Sequence, residues 1–165
     1  MNSIFKRRSI RKYTDPNISD EVIEQILRAA MAAPSAINEQ PWHFVVLKDK
    51  NILTEITKFH PYSRMLLEAG CAIVVCGDTS LAKTDKWSQD CAASTQNMLI
   101  MATELGLGSV WLGIYPDENR VEPLKKLLNL PEGVFPFSIV SLGYPAETRE
   151  PINRYDVDRV HFNNW

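Results

Sequence analysis

"DKWSQDCAASTQNMLIMATELGLGSVWLG", residues 85–113, decides the fold. Asp85 to Leu105 reads as one long helix closed by Gly106, because glycine takes the left-handed cap without a Cβ penalty. The middle of that helix is Ala, Ser and Thr, followed by Met98, Leu99, Ile100 and Met101. Small and apolar residues all round mean burial on most sides, and part of that cover can come from a second subunit. The glycines of "GLGSVWLG" (106–113) follow a helix and open a strand. A glycine-rich phosphate loop needs strand, loop, helix in that order, so this is not a dinucleotide fingerprint.

Working outward, "SDEVIEQILRAAMAAP" (19–34) predicts a helix capped by Ser19, with Asp20 and Glu21 at its positive end. Val22, Ile23, Ile26, Leu27 and Ala30 form its apolar stripe, and Pro34 stops it. Strands are expected at 42–48, 71–77, 109–113 and 137–143, and shorter helices at 50–59 and 122–130. The first strand comes only after the first long helix. That favours a layered sheet covered by helices, in a single domain over residues 1–165.

The chain has 165 residues, 45% hydrophobic and 23% charged, with net charge -2, an ordinary soluble composition. No apolar run is long enough to cross a bilayer, and the N-terminus lacks the apolar core of a signal peptide. The near-neutral balance argues against a surface built for nucleic acid, so any anion site is local. Cys71, Cys76 and Cys91 sit in apolar or small-residue surroundings and read as buried, reduced thiols, which places the protein in the cytoplasm. His43, His60 and His161 lack metal-ligand spacing and read as core or surface residues. Asp85 and Asp90 read as acidic residues favouring the start of the long helix, and "VHFNNW" (160–165) as a tail packed on a partner subunit or left loose.

Three stretches stand out chemically. "KRRSIRKY" (6–13) places Arg7, Ser9 and Arg11 on one face if the chain is extended after Arg7. Two forked guanidiniums around a hydroxyl can wrap a phosphate; read alone, a solvated basic turn is the plainer alternative. "APSAINEQPWHF" (33–44) frames Ser35, Asn38, Glu39 and Gln40 between two prolines, and "GLGSVWLG" lets backbone approach a flat surface closely. Each has an ordinary structural reading, a connection and a helix cap, that wins when the stretch is taken alone.

Together, in order, "RRSIRKYTD", "AAPSAINEQPWHFVVL", "DCAASTQNMLIMATELGLGSVWLG" and "SLGYPAE" resemble the nitroreductase family of flavoproteins over nearly the whole chain. The resemblance implies an α+β, three-layer fold with a central mixed or antiparallel sheet flanked by helices. It also implies an intertwined homodimer with one FMN per subunit at the interface. By matching positions, Arg7, Arg8, Ser9 and Arg11 contact the phosphate and pyrimidine end of the flavin. Pro34, Ser35, Ala36 and Asn38 meet FMN from the partner chain, Trp111, Leu112 and Gly113 pass over its ring, and Arg154 reaches the phosphate. The implied reaction is ping-pong: NADH or NADPH reduces FMN, and a small electron-poor acceptor, such as a nitroaromatic or quinone, takes the electrons. The catalyst is the cofactor, with no protein nucleophile, no metal, no nucleic acid and no membrane.

The sequence departs from that pattern in two places. Ala36 stands where a hydroxyl residue is often found, and "DTSLAKTD" (78–85) leaves little room for a lid helix. Tyr62 and Trp87 are therefore the candidates for contacting substrate, against the plainer reading of both as packing residues. Two further readings remain open at this stage, a reductive enzyme acting on flavin itself or on halogenated substrates, and a flavin-binding or sensing module with little turnover.

Overall fold

The computed structural model describes residues 2–14 and 17–165; Asp15, the last residue of the opening motif, lies outside them. The centre of the molecule is β2 (Cys71–Asp78), an apolar run buried at every position through Gly77. Cys71, Ile73 and Val75 point to one side of the sheet, and Ala72, Val74 and Cys76 to the other. A strand buried on both faces has no polar alternation, which is why "CAIVVCG" reads as continuously hydrophobic. Each fully buried Ile or Val contributes about 1.5–3 kcal/mol. Burial also raises the three thiols, to about 11 for Cys71 and about 12 for Cys76 and Cys91, so they behave as apolar side chains.

β2 is flanked by β1 (Trp42–Leu47) and β4 (Val134–Gly143), and β4 in turn by β3 (Gly108–Gly113), giving the order β1-β2-β4-β3. Every pairing is antiparallel. Two helices cover each face, making three layers. On one face lie α2 (Asp20–Met31), burying Ile23, Ile26 and Ala30, and α4 (Trp87–Glu104). On the other lie α3 (Lys50–Phe59), burying Leu53 and Ile56, and α5 (Glu118–Leu128), burying Val121 and Leu124.

α4 ends as expected. Gly106 adopts φ 74°, the Leu107 amide donates to Ala102 O at 2.8 Å and the Gly106 amide to Thr103 O at 3.2 Å, a Schellman cap. Asp90, Cys91, Ser94, Thr95, Met98, Leu99 and Ala102 form its buried stripe. Its start differs from expectation. Thr84 and the Lys83 amide are tied to Glu39, which holds the preceding residues in a turn, and the helix begins only at Trp87. Asp85 therefore lies outside the helix.

Two other element starts moved, and one short helix was not expected. β4 starts at Val134 rather than 137, because the pairing shifts between Val75 and Cys76: Cys76 faces Pro136 and Val75 faces Ser138. Phe137 is the extra residue of a bulge, the setting in which a sheet accommodates a proline. α5 starts at Glu118 because Asp117 caps it, accepting from the Asn119 amide at 3.1 Å. A four-residue helix, α1 (Ser3–Lys6), precedes the basic arm and joins α4 through a Ser3–Glu104 hydrogen bond.

Candidate functional site

The basic arm leaves α1 extended. Ser9 pairs with Ser109 of β3, and the Ile10 amide donates to Ser109 O at 3.0 Å. Ile10 is buried against Gly108, where an added Cβ would sit 2.6 Å from Ile10 Cγ2. That glycine is what allows the arm to lie so close to β3. With Ile10 turned inward, Ser9 and Arg11 turn away from the core.

Arg7, Arg8 and Arg154 line one cavity of about 240 Å³, together with Ile4, Phe5, Ile152, Asn153 and Tyr155. Arg8 Nη1 donates to the Glu150 carbonyl, fixing the tail beside the arm. Among the described residues, none of the three guanidiniums pairs with a carboxylate. Burial, then the charges of Arg154 and Arg8, pull the Arg7 guanidinium below its ordinary value. Like charges gathered without a counter-ion, under an apolar rim, suit an anion attached to an apolar body. Arg11 does not line this cavity. It is exposed, and its backbone amide donates to Glu147 at 2.6 Å.

Residues 34–40 form a strained, anchored loop. Ile37, Asn38 and Gln40 have φ of 44°, 59° and 48°. Asparagine tolerates that region, but a β-branched Ile there costs about 1–2 kcal/mol. The loop is held from several sides. The Ala36 amide donates to Asp90 Oδ1 at 3.0 Å, the Gln40 amide to Ser35 Oγ at 3.0 Å, and Glu39 accepts from the Lys83 amide at 2.7 Å. Pro34, Ile37 and Asn38 stay exposed, with Ser35 and Ala36 half-buried.

Trp111, Leu112 and Gly113 finish β3 at the opposite edge of the sheet from β1. Leu112 is buried in the core, Trp111 packs on Phe137 with centroids 5.7 Å apart, and Gly113 is exposed with nothing within 4 Å of an added Cβ. Trp87 is half-buried against Gly77, where a Cβ would sit 2.2 Å from Trp87 Cε3, and Tyr115 meets it edge-on at 4.7 Å. Tyr62 is 70% exposed.

Two residues near the site carry structural work that their sequence signals did not show. Asp90, expected only to favour a helix start, is 5% exposed and holds the Ala36 amide. A carboxylate one turn into a helix gives no sign of a partner 54 positions away. His60 is buried, and both of its ring nitrogens are within hydrogen-bond distance of backbone groups, the Gly113 carbonyl and the Tyr62 amide. "HPY" (60–62), interrupted by Pro61, carries no periodic signal for that.

Residues 4–68 and 59–144 match the model of the Nitroreductase family. A protein of Archaeoglobus fulgidus, provisionally named NADH dehydrogenase/NAD(P)H nitroreductase, is 50% identical over 170 residues, covering 100% of this chain and 98% of its own. Among solved structures, an FMN-dependent nitroreductase of Clostridium difficile superposes with TM-score 0.91 at 33% identity, covering 99% of each chain. A provisionally named nitroreductase of Desulfovibrio desulfuricans, solved in complex with FMN, gives TM-score 0.87 at 32% identity, covering 99% of this chain and 95% of its own.

Proposed function

The chain belongs to the nitroreductase family, and from that premise we propose an FMN-dependent oxidoreductase that draws electrons from NADH or NADPH and works as a homodimer. The observation that carries this reading is the Arg7–Arg8–Arg154 cluster, three cations around one cavity with an apolar rim. FMN has the matching form, a phosphate dianion on a largely apolar ring system. When bound, FMN supplies the redox chemistry, taking a hydride from the nicotinamide and passing two electrons to a nitroaromatic, quinone or similar electron-poor acceptor.

The chain's own residues bind and orient. Arg7 and Arg154 take the phosphate with forked, charge-assisted donors, and Arg8 closes the cavity while holding the tail at Glu150. Ser9 adds a neutral donor. Arg11, turned outward on the extended arm, serves the pyrimidine end, where a cation favours the extra charge of the reduced ring. Trp111, Leu112 and Gly113 present backbone along the ring, and Pro34, Ser35, Ala36 and Asn38 approach from the partner. Exposed Tyr62 contacts the acceptor, and Trp87, packed over Gly77 beside Tyr115, is the second candidate contact. No side chain is asked to act as nucleophile or general acid.

The dimer reading rests on the tail. Every residue from Thr148 to Trp165 is exposed, including Ile152, Tyr155, Val157, Phe162 and Trp165, which is fully exposed. The large apolar side chains left bare along this tail are covered in solution by a second copy, so residues 1–165 of two chains make one functional unit. No helix among the described residues is long and apolar enough to cross a membrane, and buried reduced thiols suit the cytoplasm.

Anaerobic titration tests the activity. The FMN-loaded protein is expected to bleach with NADH or NADPH and to recover its colour on adding a quinone. A protein that holds FMN but is bleached by neither nucleotide would instead be a binding module.

A further inference from the structure

Behind the exposed end of β3, the Gly113 carbonyl is held by side chains that are not among those assigned to the flavin. His60 is 2% exposed, with Nε2 3.1 Å from the Gly113 carbonyl and Nδ1 3.3 Å from the Tyr62 backbone nitrogen. A carbonyl only accepts and an amide N–H only donates. The imidazole is therefore neutral, with its proton on Nε2 and its Nδ1 lone pair facing Tyr62. The same carbonyl takes a second N–H, from Arg120 Nη1 at 3.0 Å. Arg120 is itself fixed by Asp117 at 3.0 Å, and its guanidinium carbon lies 5.9 Å from the centre of the Tyr62 ring. That ring meets His60 edge-on, 6.4 Å away at 79°.

An aliphatic side chain of similar volume would fill the space His60 occupies. The imidazole adds two directed bonds, one to Gly113, 53 positions away, and one to the Tyr62 amide, two positions on. One fixes the last residue of β3, whose outer side is open, and the other fixes the backbone of a tyrosine whose ring stands in solvent. Resting on the flavoenzyme reading above, we propose that His60 is a positioning residue for acceptor recognition. With Arg120, it ties the backbone of Tyr62 to the end of β3, so that the Tyr62 ring is held as the wall against which a planar, electron-poor ring stacks. Tyr62 makes the contact, and His60 acts through it.

The proposal separates planar from non-planar acceptors. In FMN-loaded protein, Tyr62→Ala and His60→Asn each raise KM for 1,4-naphthoquinone about three- to tenfold more than KM for ferricyanide, a compact ion with no ring to stack. His60→Asn adds nothing to that ratio once Tyr62 is alanine, because the two act in series. His60→Gln, whose amide still reaches Gly113, restores most of it. Imidazole nitrogen NMR of ¹⁵N-histidine protein gives a readout independent of turnover, with His60 assigned by the signal lost in His60→Gln. The expected pattern is a single neutral Nε2–H tautomer. A doubly protonated ring or the Nδ1–H tautomer at neutral pH would overturn the proposal. So would equal losses with both acceptors, or a His60→Asn effect that persists in the Tyr62→Ala background. Failure of the wild-type chain to bind FMN is a separate result, visible before any variant is compared, and it removes the flavoenzyme reading itself.

Discussion

Arg7 is held as a cation against its surroundings, half-buried beside Arg154 and Arg8. Ile37 is the backbone counterpart, an exposed β-branched residue at φ 44° in a loop anchored by Asp90 and Glu39. Both are unfavourable arrangements that the surrounding structure maintains, and both lie in stretches assigned to the flavin site. Ile37→Gly is expected to raise stability by about 1 kcal/mol, since glycine adopts that φ freely and returns only part of the gain as chain entropy. Thermal unfolding measures it, and an unchanged or lower melting temperature would contradict the strain. His60 sets a pH dependence. Burial, aided by the charge of Arg120, lowers its proton affinity, while the Gly113 bond and Asp117 pull the other way without winning. A lowered value in the fold means the unfolded chain binds the proton first. This contribution is therefore intact above about pH 6.5 and is lost as pH falls below it, at no more than about 1.4 kcal/mol per pH unit. Urea unfolding at pH 7.5 and 5.5 should show the fall in wild type and a smaller one in His60→Gln.

At the scale of elements, two glycines set how closely the basic arm packs. A Cβ on Gly143 would sit 2.5 Å from Tyr13 Cγ, and Tyr13 is pinned there by its hydroxyl, bonded to Ile10 O at 2.9 Å and Ser141 Oγ at 3.1 Å. Gly143→Ala therefore has no soft neighbour to displace and is expected to cost about 1–3 kcal/mol in denaturant unfolding, with loosened flavin binding as the arm shifts. The elements themselves were readable where one period dominates. α2 shows it in Ile23, Ile26 and Ala30, β2 in an unbroken apolar run, and the end of α4 in Gly106. Boundaries set by tertiary partners were not. The start of α4 depends on Glu39 gripping Thr84, and the start of β4 on a bulge opposite Cys76. Within the candidate site, charge and glycine patterns pointed to the arm, the loop and the end of β3. They could not mark His60 or Asp90, each of which holds a backbone group more than 50 positions away.

Across the whole molecule, a core built on both faces of a four-stranded sheet coexists with an exposed tail that bears uncovered apolar side chains. The tail carries Arg154 to the cavity and leaves Tyr155, Phe162 and Trp165 uncovered. Deleting residues 149–165 is expected to leave the sheet core folded by circular dichroism while converting a dimer to a monomer in sedimentation; a truncated chain that stays dimeric would show the tail is not what joins the copies. In the proposed site, Arg7 and Arg154 hold the phosphate of a bound flavin. Fluorescence titration of the apoprotein with FMN and with riboflavin, which lacks only that phosphate, tests it most directly. Charge-assisted bonds to half-buried Arg7 and to Arg154 predict FMN binding about 100-fold tighter than riboflavin, with the preference reduced about tenfold in Arg154→Ala. Equal affinity for the two flavins, or a preference untouched by Arg154→Ala, would contradict the account.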